Sequence, residues 1–581
     1  MSHVCHALAN VLWKRRNACV VVTDEAERLS GYQLFARTVA LGEALRQSGL
    51  LPGQRVACLA LTSHRVVELW LACCAVGAIF VPLNWRWSDS EITHALRVAA
   101  PAVLACDEHF IAAGRRAAAA CARLNGGREP LYWFLGGHLP VQVDATNAHS
   151  HGCTTTEEAI EEHLGSVPGA DGAQWLRDLP AEEHSRGALP LELQCAPGGV
   201  SLLCLTSGTT GASKAAALTH KGIVFQSACK LNLVGYSSDD VYLHAAPLFH
   251  IGGLSSAHAM LSAGGCQVFL PRFQAKDFLH AIDAHRVSAF IAVPTMLSDL
   301  VAAAGGRRYA HVTRILVGAG GMTQRQLIAT RDLFPRATLY TAYGMTECCS
   351  SITFGIADPA VEHSSRDVGV PPAGIEVRVS APDGGCTAAL PHGQEGEVLV
   401  RGPTVMAGYF RARDAGASID NSAVSTDGWF RTGDAGVIDR EGVLKIVGRL
   451  KDVIRSGGEN VFAGEVEEVV SMMAGVADVA ALGLPDNRLG ERVTVVVVPA
   501  PDAGALWRAA GEGSGETKED AVHAVAQWCR ERGLAGFKAP RTVIVRAEPI
   551  PRNSMGKIDR ARLRKDAMAT LAASSFAKAA L

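Results

Sequence analysis

Thr206-Ser207-Gly208-Thr209-Thr210-Gly211-Ala212-Ser213-Lys214 gathers the residue types that hold a polyphosphate. Glycines let backbone N–H groups turn toward an anion, hydroxyls add donors, and Lys214 adds a positive charge. The segment follows the apolar run Ser201 to Leu205, which reads as a buried strand, so the loop leaves a strand end. It is not a Walker A loop: the spacing is GxxGxxK, and Ala215 stands where that motif has Ser or Thr. A polar surface loop would explain any one of these residues, but the combination points to a phosphate chain.

Further blocks follow in order: Tyr343-Gly344-Met345-Thr346-Glu347, Trp429-Phe430-Arg431-Thr432-Gly433-Asp434, Gly448-Arg449-Leu450-Lys451-Asp452, and Pro551 through Gly556-Lys557. Each alone reads as a strand end, a turn or a loop. Together with the Thr206–Lys214 segment they resemble the adenylate-forming superfamily of acyl-CoA synthetases, peptide-synthetase adenylation domains and luciferases. The resemblance implies ATP and Mg²⁺ as cofactors and coenzyme A as co-substrate. It places Thr206, Ser207, Gly208, Thr209, Thr210, Gly211 and Lys214 on the phosphates, and Ala342, Tyr343 and Gly344 at the adenine. Thr346 would touch the α-phosphate and Glu347 would hold the metal. Asp434 would bind the ribose hydroxyls, Arg449 would lie near ribose or phosphate, Lys451 would sit at an interdomain pivot, and Lys557 would be the adenylation lysine.

The chemistry accounts for these residue types. A carboxylate is a poor acylating agent, so its oxygen attacks the α-phosphorus of ATP and pyrophosphate leaves. Charge builds on the phosphoryl oxygens and on the leaving group, so catalysis is positioning plus preorganised positive charge. A thiol must then reach the adenylate carbonyl from the side that Lys557 occupies. In the superfamily the C-terminal domain rotates between the two steps, which would bring Ser456, Gly457 and Gly458 to the nucleotide and shape a tunnel for the thiol. Lys538, in Gly536-Phe537-Lys538-Ala539-Pro540, reads equally as a contact for CoA phosphates or as a solvated lysine.

For the acid, Pro247-Leu248-Phe249-His250-Ile251-Gly252-Gly253-Leu254 resembles the segment lining the carboxylate entrance, with His250 closing over the substrate. Gly318-Ala319-Gly320-Gly321 resembles the Gly-rich turn flanking adenine and substrate. Small residues there, Gly320 and Gly321 among them, leave room for an aromatic ring. Longer runs, including Pro82 to Ser88, Val241 to His244, His250 to Ser256 and Tyr343 to Ser351, are similar to plant o-succinylbenzoate–CoA ligases. That likeness implies 2-succinylbenzoate as the acid, in phylloquinone or menaquinone biosynthesis. A dicarboxylate needs a cationic or multi-donor partner, because an unpaired buried charge is costly. Arg86 is a candidate and reads as readily as a structural residue. Rival readings are a ligase for a cinnamate, a benzoate or a medium-chain acid, an adenylation enzyme loading a carrier protein, and a non-catalytic nucleotide binder.

These residues need a scaffold. At 581 residues two or more domains are expected. Hydrophobic residues make up 48% and charged residues 19%, a globular composition. A net charge of -2 without a basic run gives no sign of nucleic acid as a partner. The 16 cysteines show no CxxC pair, so reduced, buried thiols are expected rather than a zinc site or a disulfide scaffold. The apolar stretch Leu69 to Leu83 is shorter than the roughly 20 residues of a membrane span and reads as a buried helix running into a buried strand. The N-terminus shows no signal-peptide pattern and reaches a strand, Ala18 to Thr23, almost at once.

Helical patterns alternate with short apolar runs up to Leu83 and again from Ser201 to Val317, a βαβ rhythm. The fold class is α/β: a large N-terminal domain (1–449) of stacked, mainly parallel α/β subdomains with a small β-subdomain from Gly374 to Phe410. A hinge (450–453), a smaller mobile α+β C-terminal domain (454–570) and a fraying tail (571–581, with fraying from Lys565) complete the chain. Residues 112–199 read as an irregular insertion. The C-terminal Ala579-Ala580-Leu581 keeps the Leu of a peroxisomal S-K-L signal without its basic residue, so peroxisome is the expected location, with chloroplast or cytoplasm as alternatives.

Overall fold

The computed structural model describes residues 3–579 except 16, 23–27, 125–129, 136–153, 156–157, 159–161, 163–192, 207–212, 319, 359–365, 382–387, 414–415, 502, 505, 508–514 and 553–557. Lys557, Ala319 and the Ser207–Gly211 part of the phosphate segment therefore lie outside the described residues, as does most of the 112–199 stretch.

Two large sheets form the N-terminal part. The first runs, in spatial order, Thr353–Ile356, Thr338–Tyr343, Arg314–Val317, Ala289–Ala292, Val241–His244, Cys266–Phe269, Cys19–Val22 and Arg28–Ser30, parallel except at its two outer pairs. The second runs Gly416–Asp420, Gly408–Arg413, Lys214–Thr219, Val200–Thr206, Ile79–Pro82, Arg55–Leu59, Val103–Cys106, Leu131–Phe134 and Thr154–Thr155. The continuous apolar runs of these strands suit sheets covered on both faces. The helix His64–Ala75, carrying the fully buried Trp70, packs between. Capping boxes at Ser30–Gln33, Ser88–Glu91 and Thr323–Gln326 start three of the covering helices.

A smaller antiparallel sheet of Glu376–Ser380, Gly396–Arg401, Phe430–Ile438 and Leu444–Arg449 follows. The region expected to be one β-subdomain up to Phe410 is divided. Gly408–Arg413 leaves it and pairs with Lys214–Thr219 of the second large sheet. The C-terminal part holds the hairpin Val453–Ser456/Glu459–Phe462, the long pair Val476–Asp486/Gly490–Pro499 and the strand Thr542–Val545, flanked by the helices Ala463–Ser471 and Gly515–Glu531.

Three expectations are corrected. A helix, Ala7–Lys14, precedes the first strand and is buried through Leu8, Val11 and Leu12. The stretch after residue 112 is not irregular at its start: Ile111–Leu124 is a helix, and Leu131–Phe134 pairs parallel with Val103–Cys106, extending the sheet. The tail does not fray at Lys565, because Arg560–Ala579 is one helix that buries Leu563 and Ala567 beside Leu482, Val496 and Ile544. Its Ala, Arg, Lys and Met residues are strong helix formers, and the buried stripe anchors it. The cysteines among the described residues are free thiols, most of them buried. No helix among the described residues is long and apolar enough to cross a membrane.

Candidate active site

The antiparallel pairing of Val200–Thr206 with Lys214–Thr219 makes Thr206 and Lys214 register partners, so both ends of the phosphate segment stand at one sheet end. Thr219 then caps the next helix, its hydroxyl accepting from Gly222 N at 3.0 Å. Lys214 Nζ lies 4.9 Å from the centroid of the Tyr409 ring, and Tyr409 OH donates to Glu347 Oε1 at 3.0 Å. Glu347 is buried, and its backbone carbonyl accepts from Met406 N at 2.8 Å. Tyr409 thus links the carboxylate to Lys214, and the acceptor capacity left to it among the described residues would suit a hard divalent cation such as Mg²⁺.

The turn carrying Glu347 is forced. An added Cβ at Gly344 would stand 1.6 Å from the Ser350 carbonyl oxygen, so only glycine allows this close return of the chain. Thr346–Cys348 is a single 3₁₀ turn, with Cys349 and Ser350 following at positive φ. Strained backbone of this kind persists only where its surroundings hold it. Thr346 thus stands in the turn between Tyr343 and Glu347, as the motif requires.

Tyr343 ends its strand and donates from its hydroxyl to Asp434 Oδ2 at 2.7 Å. Asp434 is a register partner of Arg449, whose Nε lies 3.2 Å from Asp434 Oδ1. Burial, followed by the Asp434 charge, pushes the Tyr343 phenol well up, so it stays a donor. Behind this pair, Glu397 accepts from Arg431 and from Gly433 N at 3.2 Å, which fixes the bend in front of Asp434. Residues from all three N-terminal sheets thus meet at one junction. It offers what a nucleotide needs: an aromatic ring, a carboxylate for the ribose, and a cation beside a metal-type carboxylate.

At the expected acid entrance His250 occupies the N-cap position of the helix Ile251–Ala263, with its ring 4.3 Å from that of Phe249. Phe249 in turn meets Trp85 edge-on at 6.3 Å. Gly320 and Gly321 are exposed, and an added Cβ at Gly320 would have Pro294 Cγ as its nearest neighbour, at 3.8 Å. Arg86 stacks over Trp85 at 4.9 Å.

Among the described C-terminal candidates, Lys451 stands in the turn Leu450–Asp452, two residues after Arg449, and Ser456, Gly457, Gly458 and Lys538 belong to the C-terminal part. Gly457 and Gly458, at φ +64° and +87°, make the tight tip of an exposed hairpin, and Lys451 is exposed; Ser456 beside the tip is buried. Lys538 Nζ is paired with Glu465 Oε2 at 2.7 Å, and Arg366 bonds Glu465 and Glu468 at 3.3 and 2.7 Å. In this arrangement Lys538 is a partly buried ion-pair member at the contact between the domains rather than a solvated lysine.

Tyr409 was missed from the sequence. No motif contains it, and its role depends on the Gly408–Arg413 strand crossing to the second sheet. Lys230 was missed as well, since a lysine within a helical pattern normally reads as solvated.

Site and fold together define an adenylate-forming acyl-CoA ligase. The chain belongs to the AMP-binding enzyme family, whose model matches residues 11–410, with the AMP-binding enzyme C-terminal domain matching residues 465–557. It is 31% identical to the 2-succinylbenzoate–CoA ligase, chloroplastic/peroxisomal, of Arabidopsis thaliana, over 97% of each chain. It is also 31% identical to the indoleacetate–CoA ligase of Aromatoleum aromaticum, over 91% of each. Among solved structures it is similar to the o-succinylbenzoate CoA synthetase of Bacillus subtilis in complex with its acyl-adenylate. That match has a TM-score of 0.72 and 25% identity, over 97% of this chain and 98% of the other. The enzyme uses ATP and Mg²⁺, and its substrates are a small carboxylic acid and CoA.

Proposed function

We propose that the enzyme activates the succinyl carboxylate of 2-succinylbenzoate as its adenylate and passes the acyl group to CoA. The observation carrying this reading is the match to the plant ligase across nearly the whole length of both chains. In the first step the acid enters past His250, and its carboxylate displaces pyrophosphate from the α-phosphorus. Asp434 and Tyr343 hold the nucleoside. Lys214 and Thr206 meet the phosphates, Thr346 the α-phosphate, and Lys557 completes the positive charge. Glu347 would hold the Mg²⁺ that offsets charge on the phosphates. In the second step the C-terminal domain turns about Lys451, and the exposed Gly457–Gly458 tip, with the buried Ser456 beside it, moves to the nucleotide while Lys557 withdraws. Lys538 would exchange Glu465 for a CoA phosphate.

The test is an acid screen: AMP release from Mg-ATP and CoA with 2-succinylbenzoate, coumarate, benzoate, indoleacetate and octanoate. A kcat/KM for 2-succinylbenzoate well above the rest supports the reading, and a higher value for any other acid overturns it. Indoleacetate is included because the match to an indoleacetate–CoA ligase has equal identity. A plastid or peroxisomal location is proposed from the plant relative and is checked with a fluorescent fusion.

A further inference from the structure

Behind the His250 entrance the protein buries an ammonium group for which the described residues supply no carboxylate. Lys230, on the helix His220–Leu233, is 0% exposed. Its Nζ donates to Ser255 Oγ at 2.6 Å and to Ser256 Oγ at 3.0 Å, its hydrogen-bond partners among the described residues. Lysine is almost never fully buried unless paired, because hydroxyls do not repay the desolvation of a charge. Burial alone holds this ammonium down to about 7.

Its surroundings are equally underused. One turn earlier on the same helix, Gln226 is 0% exposed, and neither of its amide atoms has a partner among the described residues. His244 Nδ1 and Gln267 Nε2 are also buried without partners among the described residues, although these two side chains bond each other at 2.9 Å through their other atoms. The Tyr242 hydroxyl is likewise buried without a hydrogen-bond partner among the described residues. Unpaired buried polar atoms are destabilising, so such a group of them marks a place where something polar is missing.

Ser255 and Ser256 lie on the helix that begins immediately after His250. Ser255 and Ser256 stand five and six residues after His250, an axial rise of about 7.5–9 Å, the scale of one small aromatic keto diacid. Between the two ends stands Gly252, where an added Cβ would find its nearest neighbour, Ile291 Cδ1, at 3.8 Å. We propose that Lys230, oriented by Ser255 and Ser256, is the counter-charge for a second anionic group on the acid. If the acid is 2-succinylbenzoate, that group is the ring carboxylate. This rests on His250 marking the entrance for the carboxylate that is activated. A neutral or monocarboxylic acid leaves the ammonium unpaired and is discriminated against for that reason.

The experiment compares kcat/KM for 2-succinylbenzoate with that for 4-oxo-4-phenylbutanoate, which lacks only the ring carboxylate. The enzymes are wild type, Lys230→Met and Arg86→Met. Lys230→Met is expected to lower the ratio of the two by about 100-fold, chiefly through KM for the diacid, the cost of removing one charged partner. Equal loss on both acids, or a ratio that falls only in Arg86→Met, overturns the proposal. Should Lys230→Met fail to fold, the Ser255→Ala/Ser256→Ala double variant keeps the ammonium and is expected to lower the ratio about tenfold. An unchanged ratio there is equally fatal. If wild type ignores 2-succinylbenzoate but favours another acid with a second anion, and Lys230→Met removes that preference, the substrate reading falls and the role of Lys230 stands. If wild type takes 2-succinylbenzoate and Lys230→Met leaves the ratio intact, the reverse holds.

Discussion

The nucleotide junction and the helix pair behind His250 both bury charge, but they treat it differently. At the junction each charged group already has protein partners: Asp434 accepts from Tyr343 and Arg449, and Glu347 accepts from Tyr409, whose ring lies under Lys214. Between the helices His220–Leu233 and Ile251–Ala263, Lys230 has hydroxyls alone among the described residues. A ligand common to every turnover can be met by a finished, preorganised surface. A site that must choose among acids gains selectivity by leaving one charge for the right acid to complete.

The largest effect expected from breaking this contrast lies at the adenylation lysine. Lys557→Ala should reduce pyrophosphate exchange by about 10²–10³, the usual cost of a group aimed at developing charge. Thioester formation from supplied acyl-adenylate should largely survive, and equal loss of both steps would remove the assigned role. Asp434→Asn should raise KM for ATP by about 10- to 100-fold, since two donors lose a charged acceptor. It should leave the ratio between diacid and monoacid untouched, because the nucleotide end treats all acids alike. A changed ratio would mean that the two regions are not separable.

Tyr409→Phe sharpens the same end more gently. It removes the hydroxyl on Glu347 but keeps the ring under Lys214, so kcat should fall about 3- to 10-fold, with about 1 kcal/mol lost from stability in a denaturant titration. The smallest effect concerns acid. Burial lowers His220 and His244 to about 3 and His258 to about 4, and Lys230 adds to the lowering of the last two. A folded-state value below the unfolded 6.5 means that the unfolded chain binds more protons beneath that pH. Their stabilisation is therefore complete above about 6.5 and declines as pH falls from there toward 4. Tm should already fall from pH 8 toward 7, where buried Lys230, held down to about 7, is protonated less fully than in the unfolded chain. It should keep falling below 6.5 through these rings, and a level Tm from pH 6 to 5 would contradict their burial.

Much of the candidate nucleotide junction was legible in the sequence because its parts are local. Gly344, Thr346 and Glu347 belong to one turn, and Asp434 and Arg449 each sit in a recognisable block on adjacent strands. The strands themselves were legible because their apolar runs are continuous: Cys19–Val22 and Val200–Thr206 fall where the runs Ala18 to Thr23 and Ser201 to Leu205 placed them. What failed was pattern without a local code. The helix after residue 111 is Ala- and Arg-rich and weakly apolar, and the C-terminal helix is stabilised by a neighbouring sheet that its own residues do not announce.

The sequence by itself determined the order of the phosphate, adenine, ribose and hinge blocks, and with it the α/β class and the adenylating chemistry. Tertiary structure decided which side chains meet. Tyr409 reaches Glu347 only because its strand leaves one sheet for another, and Lys230 becomes a buried charge only because two helices close over it. The physical reason is that periodicity reports which face of an element is apolar. The partner of a polar atom, and the dielectric around it, depend on elements distant in sequence that packing brings beside it.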